Sequence, residues 1–279
     1  MKRIISIQDL SCVGKCSLTA ALPIISAMGV EVSVLPTAVL SCHTAFDDFC
    51  VKDLTDEIAP IGDKLKKQGI EFDAIYTGYL GSEKQAEEVI GFFDKFGRKE
   101  CIIFSDPAMA DNGELYTGFE KSFVSEMAKV CAKADIIVPN LTEACFLLGK
   151  EYIGGKYKRE DIRKMLGQLC ELGCRAAAIT GISYEEGKVG VAVFQKDEND
   201  HFEIFTDRIG SVYHGTGDVF SSCCVGAIMN GFSLHRAFEI AVRYTALCVK
   251  ASYENKESRW YGVDFETAIP MLLKMTGKV

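Results

Sequence analysis

Three short stretches of this 279-residue chain carry residue types suited to moving a phosphoryl group. In HGTGDVFSSCC, at 214–224, Gly215, Thr216 and Gly217 open a helix rich in small residues. Backbone N–H groups converge there without intruding side chains, and the helix N-terminus adds partial positive charge, which makes an anion site. Asp218 sits just inside that helix. A carboxylate in the first turn caps a helix; beside an anion cradle it can also accept the proton of a hydroxyl that attacks phosphorus. Both readings stand on GTGD alone. The other stretches are SDPAMADNGELY at 105–116 and VPNLTEACFLLG at 138–149. Asp106, Asn140 and Glu143 bear the oxygens a hydrated magnesium ion prefers, usually one or two carboxylates with substrate phosphates. Asn140 and Glu143 also fit a capping box around the helix LTEACFLLG.

A fourth stretch, QDLSCVGKCSLT at 8–19, looks like a phosphate loop and fails as one. That pattern needs Gly, four residues, then Gly-Lys-Ser/Thr. Asp9 stands at the first Gly, and Cys16 replaces the magnesium-binding hydroxyl. Gly14 reads as the residue that permits a turn, and Lys15 as a solvated residue at a helix start.

The elements that must carry these residues alternate. Strand-like runs occur at 3–7, 30–40, 72–80, 100–106, 134–140 and 174–180, separated by amphipathic segments such as LTAALPIISAMG and EKQAEEVIGFFDKFG that close on Gly. The stripe IISAM reads as core. Such alternation predicts βαβ crossovers and a mainly parallel sheet covered by helices. After residue 180, GKVGVAVFQKDENDHFEIFTDRIG predicts an antiparallel edge hairpin, followed by helices over 217–230 and 233–253. No Pro-, Gly- or Ser-rich linker divides the chain, so one domain spanning 1–279 is expected. Asp106 and Asn140 then fall at carboxyl ends of strands, where open α/β sheets place their ligand crevice.

Composition excludes some classes. The net charge of −8 is the wrong sign for binding nucleic-acid phosphates. No apolar run approaches the ~20 residues that span a bilayer, and the first residues lack a signal peptide's apolar core. A cytoplasmic location is expected, with the 12 cysteines as free thiols. The histidines at 43, 201, 214 and 235 lack metal-ligand spacing, and His43 reads as a pocket or packing residue. Cys12, Cys16, Cys223 and Cys224 read as packing residues, with Cys12 open to reaction if it lines a pocket. Trp260 reads as a packing or interface residue.

IQDLS at the opening, then DPAMADNG, N-L-T-E and GTGD, in that chain order, resemble the ribokinase superfamily, in its vitamin-kinase branch of pyridoxal and hydroxymethylpyrimidine kinases. The resemblance covers essentially the whole chain. It implies a three-layer α/β/α ribokinase-like fold and an ATP-dependent kinase of the pyridoxal kinase type. TAVLSCHTAF at 37–46 and YTGYLGS at 76–82 resemble the segments that line the pyridine ring. The resemblance then implies Thr44 at the ring substituents, Tyr79 facing the pocket, and Asp9 and Ser11 as polar contacts. Asp218 would be the base for the 5′-hydroxyl, with Gly215, Thr216 and Gly217 holding the transferred charge. Nucleotide contacts would involve Asp106, Asn140, Thr180 and Gly181. Mg2+ would sit near Glu143, with a monovalent cation such as K+ near Asp106. DNGELYTGFEKSF would be a mobile segment closing over ATP, and a homodimer is expected. Asp9 departs from the Ser found in many pyridoxal kinases and matches hydroxymethylpyrimidine kinases, which keeps that kinase as the alternative. A sugar kinase fits less well, because Asp9 to Thr19 runs into a helix without a β-rich lid. A non-catalytic sensor of nucleotide or pyridoxal phosphate is the alternative of another class, and the intact Asp218 argues against it.

Overall fold

A computed structural model describes residues 1–154, 157–210 and 213–278. In chain order the elements are β1 (Arg3–Ser11), α1 (Ser17–Ala27), β2 (Glu31–Leu40), β3 (Val51–Asp53), α2 (Thr55–Lys67), β4 (Ala74–Thr77), α3 (Glu83–Phe96), β5 (Ile102–Ser105), β6 (Ala110–Asp111), β7 (Glu114–Leu115), α4 (Lys121–Lys133), β8 (Ile136–Ile137), α5 (Leu141–Leu147), α6 (Arg159–Glu171), β9 (Ala176–Ile182), β10 (Lys188–Gln195), β11 (Asp200–Asp207), α7 (Thr216–Met229), α8 (Leu234–Glu254) and α9 (Phe265–Met275).

Among the described residues the main sheet has nine strands in the order β11-β10-β9-β8-β5-β4-β1-β2-β3. From β2 to β9 the neighbours are parallel, and antiparallel strands close both edges. The reason is visible in the side-chain alternation. Ile5 and Ile7 of β1, with Ile75, Ile103 and Ile137, enter a core roofed by α2 to α6. Ile4, with Tyr76, Phe104 and Ile136, enters a second core under α1, α7, α8 and α9. Side chains one residue apart leave opposite faces of a strand, so apolar residues on both faces require helices on both. These layers are the α/β/α arrangement expected from the sequence.

Chain order reverses between β1 and β4, which leave their shared line in opposite directions across the sheet. In open α/β sheets the crevice at such a switch point receives ligands. Asp9 lies near the carboxyl end of β1, and Tyr79 just beyond β4. The expected strands at 72–80 and 134–140 shrink to β4 and β8 because their last residues leave the sheet to build that crevice. The pair β6–β7 overlaps the start of the segment expected to be mobile. Among the described residues no helix is long and apolar enough to cross a membrane.

Candidate active site

Three carboxylates meet at the carboxyl edge of the sheet. Gly215 is the N-cap of α7 with φ 77°, a left-handed conformation that puts Asp218 in the first helical turn. A Cβ on Gly215 would also lie 2.1 Å from the carbonyl oxygen of Lys15, so the position excludes any side chain. Burial, then the negative charges of Asp106 and Asp9, push the Asp218 carboxyl up to about 8. Interactions with backbone N–H groups of Ser17 and of Asp218 itself pull partway back. Asp106 is half-buried at the end of β5, and burial pushes it up to about 6 although Ser221 Oγ donates to its Oδ2 at 2.7 Å. Asp9 is 6% exposed and also raised, by burial first, against hydroxyl contacts from Ser17 and Ser11. A carboxylate held near neutrality beside N–H groups can exchange a proton at physiological pH, and the shared negative charge favours a cation.

The end of the crevice toward β8 and β9 is built from caps. Asn140 Oδ1 accepts from the N–H of Glu143 at 2.9 Å, and Glu143 Oε2 accepts from the N–H of Asn140 at 2.8 Å. Glu143 Oε1 accepts from the N–H of Met109 at 3.0 Å and of Ala110 at 3.4 Å. The capping box is therefore real, and it also anchors the DPAMADNG segment. Asn140 Nδ2 donates to Ala110 O at 2.7 Å, and Gly113 N–H to Thr142 Oγ1 at 3.0 Å. Thr180 N–H donates to Pro139 O at 3.0 Å and forms a bridge with Asn140, which brings Thr180 and Gly181 beside them. Gly181 has φ +73° and open space around it. Burial, then Asp106, raises the Glu143 carboxyl well above the usual range.

Among the described residues no group of three metal-binding side chains exists. The donor chemistry nevertheless fits magnesium, which needs few protein oxygens when phosphates complete its shell. Among those residues Asp106 Oδ1 has no hydrogen-bond donor, whereas both Glu143 oxygens accept N–H groups and retain only their second lone pairs.

The end toward β1 and β2 is built from side chains of distant segments. Ser11 is fully buried, and its hydroxyl donates to Asp9 Oδ2 at 3.2 Å. Tyr79 stacks on Phe119 at 5.4 Å between centroids, and its phenol is raised by burial and then by the Asp9 charge. Thr44 is exposed in the loop between β2 and β3. Its neighbour His43 reaches the opening stretch, where a Cβ on Gly14 would meet the His43 ring at 3.2 Å. Gly14 has no left-handed backbone, so it is the tight approach of His43 and Ser11 that favours glycine there.

Lys15 corrects the sequence reading: it is not solvated. Its ammonium donates to Asp264 Oδ1 and Glu266 Oε2, both at 2.9 Å, and its side chain is 16% exposed. Sequence reasoning also missed Ser17, Ser221 and Tyr116. Partial burial, then the charges of Glu143, Asp106, Asp111 and Asp218, keeps the Tyr116 phenol neutral over the cluster. The spacing of Ser221 three residues after Asp218, one helical turn on, was the available signal. All the cysteines are free thiols; Cys223 and Cys224 are buried, and Cys12 is exposed. Burial, then Asp218 and Asp9, raises the Cys16 thiol, so it stays protonated. A cavity of about 260 Å3 between α6 and the β10–β11 hairpin, lined in part by Arg163 and His201, does not touch the carboxylates. Chemistry rather than volume locates the site.

Known proteins resemble this chain along most of its length. A pyridoxal kinase from Dictyostelium discoideum is 26% identical over 276 residues, covering 92% of this chain and 88% of its own. A crystal structure from Bacteroides thetaiotaomicron, a candidate phosphomethylpyrimidine kinase in a form with pyridoxal, is 37% identical with a TM-score of 0.93, covering 97% of this chain and 95% of that one. Pyridoxal kinase from Lactobacillus plantarum superimposes with a TM-score of 0.89 at 25% identity, covering 100% of this chain and 99% of that one. The profile of the phosphomethylpyrimidine kinase family matches residues 26–261, and the chain belongs to that family.

Proposed function

We propose that this chain is an ATP-dependent kinase that phosphorylates the 5′-hydroxymethyl group of pyridoxal, pyridoxine or pyridoxamine, a salvage route to pyridoxal 5′-phosphate. The observation that carries the reading is Asp218, held near neutrality at the N-terminus of α7 beside Gly215, Thr216 and Gly217. The pyridoxal kinase relatives, and the pyridoxal in the Bacteroides thetaiotaomicron crystal, support this acceptor.

In this reading Asp218 takes the proton of the attacking hydroxyl. The amides after Gly215 stabilise the charge on the transferring phosphoryl group, aided by the positive end of α7. Asp9, steadied by Ser11, pairs with the ring nitrogen, while Tyr79 and Thr44 bound the ring. Asn140, Thr180 and Gly181 lie along the nucleotide. Asp106 and Glu143 would hold magnesium, which when bound would neutralise phosphate charge. Most of the rate then comes from positioning and fixed charge. K+ near Asp106, a single domain over 1–279, a homodimer and a cytoplasmic location complete the proposal.

A second reading, a hydroxymethylpyrimidine kinase, has one observation in its favour: Asp9 is an acid at the end of β1, as in that branch. ADP release from purified protein with ATP and each acceptor separates the two. Higher kcat/KM for a B6 vitamer supports the first reading; equal or higher kcat/KM for hydroxymethylpyrimidine overturns it.

A further inference from the structure

Lys15 has no part in the chemistry above, yet it is fastened on both sides. Its anchor Asp264 is 6% exposed, accepts from Asn255 Nδ2 at 2.8 Å, and donates its N–H to Ser252 Oγ at 2.7 Å. The ammonium also lies 5.8 Å from the centroid of Phe265. On its other side the Lys15 main chain abuts the phosphate cradle, since a Cβ on Gly215 would lie 2.1 Å from Lys15 O. Gly262 closes the sandwich, where a Cβ would lie 2.4 Å from Lys15 Cβ. Lys15 thus touches the cradle and the segment that leads into α9 at once.

That segment carries Trp260 and Tyr261. His43 Nδ1 accepts from the N–H of Ala45 at 3.1 Å, which leaves the hydrogen on Nε2 to donate to Tyr261 O at 3.0 Å. Phe46 packs on Trp260 at 4.6 Å, and His43 lies 5.7 Å from His214, the residue before Gly215. The aromatic cluster therefore stands on the Asp9 side of the cradle, and it is held there by two tethers, from His43 and from Lys15.

We propose that Lys15 is a positioning residue that joins the phosphate cradle at Gly215 to an aromatic wall of the acceptor end, formed by Trp260 and Tyr261 with His43 and Phe46. The proposal deepens the kinase reading and rests on it for the identity of the acceptor. The wall suits a planar aromatic acceptor, because rings stack on rings and flat faces exclude water. The ion pair fixes where the wall stands relative to the amides that receive the phosphoryl group. A displacement near 1 Å in such a site costs up to about 100-fold in rate.

The test compares Lys15→Met, Lys15→Arg and the double variant Lys15→Met/Asp264→Asn. The double variant removes both charges, so no buried carboxylate is left unpaired and the fold is retained. Steady-state kinetics should give, for Lys15→Met and for the double variant, a fall of about 10- to 100-fold in kcat/KM for pyridoxal, with KM for ATP changed less than about threefold. Arginine should restore most of the loss. Trp260 is the sole tryptophan and is 57% exposed, so its emission reports the wall without turnover. Titration with pyridoxal should change that emission in wild type, and the titration should weaken about tenfold or more in Lys15→Met.

Wild-type kinetics in the double variant, or a pyridoxal titration that Lys15→Met leaves unchanged, overturns the proposal. So does a loss that follows melting temperature alone and disappears on cooling. Should wild type bind pyridoxal by Trp260 emission yet release no ADP, the kinase reading fails, and the same titration in the variants still decides the role of Lys15.

Discussion

The two ends of the crevice are made differently. At the proposed nucleotide end, Asn140, Glu143, Met109 and Ala110 bind one another through backbone N–H groups and a capping box, and Gly215 turns by its backbone alone. At the proposed acceptor end, Asp9, Thr44, Tyr79 and the Trp260 cluster come from four segments and depend on side chains. Backbone-built sites leave few substitutions open, while side-chain walls can be exchanged without disturbing the sheet.

Substitutions should reveal that contrast as a graded series. Gly215→Ala should be the most damaging, because it adds left-handed strain and a 2.1 Å contact with Lys15 O. We expect activity below 1% of wild type, taking a loss of about 100-fold as the threshold, and a stability loss of about 1–3 kcal/mol by thermal unfolding. Glu143→Gln replaces an acceptor of N–H groups with an amide that offers one oxygen. KM for ATP should rise more than KM for pyridoxal, because the anchor of the DPAMADNG segment is weakened.

The pH profile is the next test. A base must be deprotonated, and Asp218 is pushed up to about 8, so kcat/KM should rise with pH and level off above about 8. Asp106→Asn removes a neighbouring negative charge and should move that limb down by about one pH unit or more, beside any loss of rate. A limb that stays in place would separate the two carboxylates. The smallest effect belongs to the exposed acceptor loop: Thr44→Ala should raise KM for pyridoxal by about two- to fivefold and leave KM for ATP unchanged.

Local patterns were legible and distant partners were not. GTGD, the capping box of Asn140 and Glu143, the strand-like run at 3–7 and the long edge hairpin all depend on residues a few positions apart, and each is present. Lys15 reaches a partner 249 residues away, and Ser221 finds Asp106 across 115 residues. Nothing near Lys15 in the sequence signals Asp264, which is why it looked solvated. The pair β6–β7 has two residues in each strand, too few for a periodic signal. Strand ends were overextended at Tyr79 and Asn140 because β-prone residues there serve the crevice instead.

The central claim is that Asp218 is the base, and Asp218→Asn tests it most directly. The sign of its effect on stability follows from its raised carboxyl. Well below pH 3.8, Asp218 is protonated folded or unfolded, so asparagine changes little; from about pH 4 to 8 the unfolded chain ionises while the folded chain resists, and asparagine should increasingly stabilise it. Turnover of pyridoxal with ATP should fall about 100-fold or more while binding of both, followed by calorimetry, persists. Turnover close to wild type in a folded, ligand-binding Asp218→Asn protein would contradict the account.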